Sequence, residues 1–345
     1  MDIVRGRAPL RLGLAGGGTD VSPYSELYGG RVLNATIGRY AYATVTPLKK
    51  GSIEFHSPDR EMTNAVDTSD LDVLSSDYRL HVAVLKRMGT QFGGGEIPSI
   101  RLSTQVDAPP GSGLGSSSTL VVAMTVALAE YFGVSLGAYE TARLAWEIER
   151  TEAGLEGGWQ DQYAATFGGV NYIESRQDGR MIVNPLRVRP EVLAELEASL
   201  LLYFGGVSRS SAAVISEQRS RVESGDVNAI EATHAIRREA ETMKDHLVRG
   251  DIEGIATSLR EGWEQKKKIA SRVGTPEIAR AYEVAEAHGM RAGKVSGAGG
   301  GGFMMLIVDP ERRLEVARAL QEECGGSVSE AHFVQTGAAA WRTQR

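Results

Sequence analysis

Residues 109–118 read Pro109-Pro110-Gly111-Ser112-Gly113-Leu114-Gly115-Ser116-Ser117-Ser118, directly ahead of an apolar run over 120–132. Glycines let backbone N–H groups close on an anion, and the start of a helix adds unsatisfied donors and a positive partial charge. The pattern is a cradle for phosphate. Its serine hydroxyls can also reach a magnesium ion held by the same phosphates. The Walker A pattern ends in Gly-Lys-Ser/Thr, and no lysine stands in this run, so a nucleotide-binding fold of another kind is implied.

Four charged residues could work beside such a cradle. Asp161 lies in Gly157-Gly158-Trp159-Gln160-Asp161-Gln162, where a glycine pair leaves open space next to a carboxylate. It could accept a proton from a sugar hydroxyl during phosphoryl transfer, or simply cap the short helix that follows. Glu149 has no basic residue three or four positions away, whereas Glu147 has Arg143 and Arg150 at those spacings. An unpaired carboxylate in the last turn of a helix suits a cation such as Mg²⁺; the plain alternative is an exposed glutamate. Arg11 lies on a predicted first strand, where an inward arginine needs an anionic partner and an edge arginine limits aggregation. Asp20 follows Gly16-Gly17-Gly18-Thr19 and suits either an Asx turn or a hydrogen bond to sugar hydroxyls. The six histidines and one cysteine show no zinc spacing.

The elements that must position these residues follow from the periodicity. Strands are predicted over 3–14, 32–47, 53–56, 97–106, 170–175, 181–183, 200–204, 303–308 and 331–334, and helices over 77–88, 117–132, 138–151, 161–167, 208–220, 227–249, 252–270, 276–288 and 311–323. The Pro-bounded stretch 185–190 is the candidate domain boundary, and the helix-rich second half gives an α+β class. Gly297-Ala298-Gly299-Gly300-Gly301-Gly302 satisfies G-x-G-x-x-G, but with helix upstream and strand downstream it lacks the context of a dinucleotide fingerprint.

A chain of 345 residues is comfortable for two domains, and its 42% hydrophobic and 24% charged residues are an ordinary globular mix. A net charge of −6 argues against a nucleic-acid partner. No apolar segment approaches the roughly 20 residues of a membrane span, so no membrane partner is expected. The opening residues lack the apolar stretch of a secretory signal, and the single cysteine, Cys324, suits a reducing cytoplasm. A homo-oligomer is compatible with everything in the sequence.

Three motifs together resemble the GHMP kinases, the family of galactokinase, homoserine kinase, mevalonate kinase and phosphomevalonate kinase. They are Ala8-Pro9-Leu10-Arg11-Leu12-Gly13-Leu14-Ala15-Gly16-Gly17-Gly18-Thr19-Asp20, then Pro110-Gly111-Ser112-Gly113-Leu114-Gly115-Ser116-Ser117-Ser118, then Lys294-Val295-Ser296-Gly297-Ala298-Gly299-Gly300-Gly301-Gly302-Phe303. The resemblance implies a two-domain α+β fold, with an ATP-binding N-terminal domain (1–185) like part of a small-subunit ribosomal protein and a ferredoxin-like C-terminal domain (186–345). ATP and a small-molecule acceptor would meet between them. It implies that residues 110–118 hold the ATP phosphates, that Ser117 (or Ser116) and Glu149 hold Mg²⁺, and that Asp161 is the catalytic aspartate accompanied by Arg11. The sugar would be held by Gly17, Gly18, Thr19 and Asp20, with Gly299 and Gly300 shaping the cleft. Arg209, Arg31 and Lys294 are candidates, by residue type, for a distal phosphate on the acceptor.

Galactokinases carry Gly-Glu-His-Thr-Asp where this chain has Gly16-Gly17-Gly18-Thr19-Asp20. Losing Glu and His removes two sugar contacts and puts galactose in doubt. The run 14–24, with 157–163 and 206–211, is instead similar to a branch that phosphorylates the anomeric O1 of D-glycero-α-D-manno-heptose 7-phosphate to the 1,7-bisphosphate, feeding nucleotide-activated heptose synthesis. Rival expectations are an octose phosphate, fucose or another hexose as acceptor, or a non-catalytic sugar sensor of the same fold.

Overall fold

The computed structural model of the chain describes residues 2–206 and 211–343. The strands, in chain order, are β1 (Ile3–Ala15), β2 (Arg31–Pro47), β3 (Ser52–Ser57), β4 (Met62–Asp67), β5 (Ile100–Val106), β6 (Val170–Ser175), β7 (Met181–Pro185), β8 (Leu200–Phe204), β9 (Met290–Val295), β10 (Phe303–Val308), β11 (Ser327–Ser329) and β12 (Ala339–Thr343). They form two sheets. The first runs β12-β1-β2-β5-β3-β4, with β6 joined to β2 and β7 to β6. Strand β2 serves two neighbours because it is long: its first residues pair with β6 and its last with β5. The second sheet runs β11-β8-β10-β9 and is antiparallel throughout.

The helix Ser116–Phe132 is apolar on nearly every side, as a helix between two covered layers must be. Val121, Met124 and Leu128 pack with Val4 and Ala8 of β1 and with Ala43 and Val45 of β2. Gly6 permits that close approach, since a Cβ there would lie 2.5 Å from the Ala123 carbonyl oxygen. A second cluster joins the two sheets: Leu10, Leu12, Leu33 and Ile37 pack with Leu202, Met305 and Ile307. Helices Val227–Arg249 and Ile252–Ile269 contribute Met243, Leu247 and Leu259 to it. Asp226 and Asp251 cap these two helices through bonds from Asn228 N, Ala229 N and Gly254 N. Pro276–Ala287 and Arg313–Cys324 cover the other face of the second sheet through Val284, Val316 and Leu320.

Between Pro9 and Arg11 the β1–β2 register shifts. Before this bulge the even-numbered side chains of β1 (Val4, Ala8) face the Ser116–Phe132 helix; after it the even-numbered ones (Leu10, Leu12, Leu14) belong to the second cluster. A bulge re-aims the residues that follow it. Arg11 is thereby turned toward the loop that leads into the helix.

The expected α+β arrangement is present, and most elements fall within a few residues of expectation. Several differ. The helix expected over 138–151 is α-helical only over Ala138–Glu147 and continues as a wider π-turn over Ile148–Glu152. Strand β9 stands directly before Gly297, so strand rather than helix precedes that glycine run; strand also follows it, and the dinucleotide context is still absent. The last strand is Ala339–Thr343 rather than 331–334, where Phe333 makes only a single bridge to Ile37. Part of the predicted 208–220 helix lies outside the described residues, and the helix is described over Ser211–Glu223.

Candidate active site

The loop 110–118 wraps the N-terminus of the Ser116–Phe132 helix. Gly111, Gly113 and Gly115 all carry φ between 70° and 77°. Gly115 is the residue before the helix and supplies no side-chain cap, so the N–H groups of the first turn stay open to a ligand. The glycine run of the third motif lies against this loop: a Cβ on Gly113 would sit 2.4 Å from Ser296 O, and one on Gly302 2.4 Å from Ser112 O. Phe303 N donates to Ser112 O at 2.8 Å. Backbone packs on backbone, and no side chain could be inserted at either place.

Arg11 is buried and spends its whole guanidinium on this region. Nε donates to Asp161 Oδ1 at 2.6 Å, Nη2 lies 2.5 Å from the same oxygen, and Nη1 donates to Gly113 O at 2.8 Å. Ser296 Oγ also donates to Gly113 O, at 2.8 Å, and accepts from Arg11 Nη1 at 3.3 Å. Asp161 sits in the first turn of the helix Gln160–Phe167 without capping it. Its Oδ1 is fixed by Arg11, while Oδ2 would lie 3.1 Å from a Cβ on Gly115. The acid therefore stands over the mouth of the phosphate loop.

Glu149 is buried within the π-turn, a distortion that recurs at functional sites because it turns a side chain out of α-register. Ser117 Oγ donates to its Oε1 at 2.5 Å and Gln162 Nε2 to its Oε2 at 2.6 Å. Contrary to the expectation of an unpaired carboxylate, Arg150 Nη1 lies 3.5 Å from Glu149 Oε1. Spacings of three and four miss that neighbour because Arg150 is the very next residue. The same Arg150 bonds Gly158 O and Ser118 Oγ, and does not pair with Glu147, which meets Arg143 and Arg87 instead.

At the opposite end of the same cleft, Asp20 is buried, and both of its carboxylate oxygens meet protein donors. Oδ1 accepts from Gly18 N at 2.9 Å, two residues back and so not the forward bond of an Asx turn, and Oδ2 accepts from Gln160 Nε2 at 3.1 Å. Two residues that the sequence reading missed complete this end. Lys266 Nζ donates to Gly17 O at 2.8 Å, and Gln218 Nε2 to Gly18 O at 2.7 Å. Burial pushes the Lys266 ammonium down to about 8, with Asp20 acting in the opposite sense and Arg11 in the same one. Lys294 donates to Leu14 O and is pushed down to about 7, by burial first and then by Lys266 and Arg11.

These residues enclose one cleft of about 270 Å³, lined by Arg11, Asp20, Glu149, Arg150, Asp161 and Lys266 among others. Gly18, Gly111, Gly113, Gly115, Ser116, Ser117, Ser118, Gly299 and Gly300 line it as well. Other expected residues do not. Thr19 is buried and its hydroxyl bonds the backbone of Gly16 and Arg31, so it holds the loop rather than facing the cleft. Leu114 packs into the second core cluster, and Ser112 is buried with its hydroxyl on Leu114 N. Gly17 and Lys294 line a smaller cavity of about 30 Å³ behind the cleft. Arg31 is spent on Glu174 and Glu241 at a separate surface and is not a distal-phosphate ligand of this cleft. Arg209 lies outside the described residues.

The chain matches the family models for the GHMP kinases N-terminal domain over residues 79–169 and the GHMP kinases C-terminal domain over 243–326. It is 42% identical over 345 residues to a D-glycero-alpha-D-manno-heptose 7-phosphate kinase of Campylobacter jejuni, covering 99% of this chain and 100% of the relative. Among solved structures, a D-glycero-D-manno-heptose 1-phosphate kinase from Bacteroides thetaiotaomicron superposes with a TM-score of 0.83 at 42% identity, covering 99% of this chain and 100% of the other. Lactococcus lactis galactokinase shares the fold, with a TM-score of 0.75 at 18% identity over 98% of this chain and 95% of the other. Matched by the models of both domains and 42% identical over nearly its whole length to a heptose phosphate kinase, the chain belongs to the GHMP kinase family.

Proposed function

We propose that this kinase transfers the γ-phosphoryl group of ATP to the anomeric O1 of a heptose 7-phosphate, giving the 1,7-bisphosphate. The observation that carries the reading is the placement of Asp161, fixed through one oxygen by Arg11, beside Gly115 at an uncapped helix N-terminus. An acid in that place can meet an acceptor hydroxyl and a bound terminal phosphate together. Gly111, Gly113, Gly115 and the open first turn of the helix bind the phosphates through N–H groups. Asp161 Oδ2 takes the proton of the attacking hydroxyl as its oxygen bonds to the γ-phosphorus and ADP leaves.

Mg²⁺ fits the residues present. That ion is commonly held by one or two carboxylates together with substrate phosphates, and Glu149 and Ser117 are already joined at 2.5 Å next to the cradle. When bound it would neutralise charge developing between the β- and γ-phosphates. Arg150 keeps Glu149 oriented and adds a positive charge on the same wall.

The heptose assignment draws on two relatives named for a heptose phosphate; their names differ in the position of the phosphate. The absence of a side chain at Gly18, which lines the cleft, leaves room for an acceptor larger than a free hexose. The test is an ADP-release assay across heptose 7-phosphate, heptose 1-phosphate, free heptose, fucose and galactose, followed by phosphorus NMR of the product. Turnover on heptose 7-phosphate with a new anomeric phosphate is the expected result. A clear preference for an unphosphorylated sugar, or a new phosphate at another oxygen, would overturn it.

A further inference from the structure

Lys266 is a buried cation on a helix, and three facts set it apart from the other cations of the cleft. Arg11 is committed to Asp161, and Arg150 to Glu149 and several carbonyl groups. Among the described residues Lys266, by contrast, makes one hydrogen bond, to Gly17 O, and no carboxylate oxygen there lies within 4.0 Å of its Nζ. An ammonium has three protons to donate, so two remain for a ligand. Its surroundings are shaped to leave it accessible. Gly18 has φ +106°, and a Cβ there would stand 3.2 Å from Lys266 Nζ and 3.2 Å from each amide atom of Gln218. Glycine at 18 keeps open the space in front of both groups, and that space belongs to the Asp20 end of the cleft.

We propose that Lys266, supported by Gln218 across Gly18, binds the phosphate that the acceptor sugar already carries, and so sets the preference for a phosphorylated sugar. The inference rests on the sugar-phosphate reading given above. A buried, incompletely partnered ammonium is costly unless an anion completes it. The acceptor would supply that anion, which couples its binding to its phosphate. The groups facing Lys266 are Asp20, Arg11 and Lys294. Asp20 is the one anion of the three and is held by Gly18 N and Gln160 Nε2, which leaves Lys266 open to an incoming anion.

The experiment measures kcat and KM, at saturating ATP, for heptose 7-phosphate and free heptose in the full-length wild type, Lys266→Met and Lys266→Arg. ATP affinity and thermal melting serve as folding controls. Losing a charge-assisted hydrogen bond predicts that Lys266→Met raises KM for the phosphorylated sugar about 10- to 100-fold. KM for ATP should stay within about two- to threefold of wild type, and kcat/KM for free heptose should fall much less than that for the phosphorylated sugar. Lys266→Arg should keep part of the preference. A wild-type pH series, independent of any variant, should show KM for the phosphorylated sugar rising as pH passes about 8, where Lys266 loses its proton, with no such rise for free heptose. If the wild type prefers the phosphorylated sugar and Lys266→Met keeps that preference, the Lys266 assignment falls and the sugar-phosphate reading stands. If both sugars weaken equally, Lys266 meets a hydroxyl and the assignment falls again. If the wild type shows no preference for a phosphorylated sugar, the acceptor reading falls and takes this inference with it.

Discussion

Asp161 and Arg11 act as one unit, and their substitutions should separate chemistry from structure. Asp161→Asn keeps the shape and loses the base, so kcat should fall about 10²- to 10⁴-fold with ATP affinity retained, as steady-state kinetics and nucleotide titration would show. Arg11→Met removes donors from Asp161 Oδ1 and Gly113 O in a buried setting. Breaking one side of a buried pair typically costs about 3–5 kcal/mol, so this variant should lose melting temperature as well as turnover. Arg11→Lys should not rescue it, since a single ammonium cannot span Asp161 and Gly113 as the guanidinium fork does. A variant at Arg11 with full thermal stability would show that the ion pair is incidental to the fold.

At the level of elements, the site is made by interruptions of regular structure: the bulge in β1, the left-handed glycines of the phosphate loop and the π-turn at Glu149. Two glycines at the ends of the same helix allow a comparison. Gly115 (φ +77°) and Gly133 (φ +70°) flank Ser116–Phe132, but a Cβ on Gly115 would lie 3.0 Å from Asp161 Cγ, whereas one on Gly133 meets nothing within 4 Å. Both alanine variants should pay a left-handed backbone penalty of about 1–2 kcal/mol. Only Gly115→Ala should also lose turnover, because it displaces the acid. Comparable activity in the two variants would place Asp161 outside the reaction.

The whole molecule is closed by its C-terminal segment. Strand β12 pairs with β1 from Ile3 to Arg7 and covers what would otherwise be an edge of the first sheet. Just before it, Ala338 N donates to Thr166 O, and Gly337 packs against the turn that ends the Asp161 helix, where a Cβ would lie 2.1 Å from Thr166 O. Removing residues 336–345 should therefore lower the melting temperature and promote self-association through the exposed β1 edge, measurable by light scattering. It should also reduce turnover by loosening the helix that carries Asp161. A truncated chain that stays monodisperse and fully active would show that the segment is dispensable.

The phosphate loop, the place of Asp161 in the cleft and the α+β order were legible because each rests on local chemistry: glycines before an apolar helix, a carboxylate beside a glycine pair, hydrophobic periodicity; Glu149 was singled out as unpaired, and Arg150 overturns that reason. Lys266 and Gln218 left a fainter trace. Lys266 falls on the buried stripe of its helix with Ile255, Leu259, Trp263 and Ile269, and Gln218 falls between Val214 and Val222 on the buried face of another. A polar residue on an apolar stripe is the signal that could have found them. Arg31 misled because residue type alone cannot say which anion a cation meets. Sequence by itself fixed the chemistry available, since backbone conformation at glycine and helix ends is encoded within a few residues. Tertiary structure alone decided which charges share the cleft, because a bulge, a π-turn and contacts across hundreds of residues set where those side chains point.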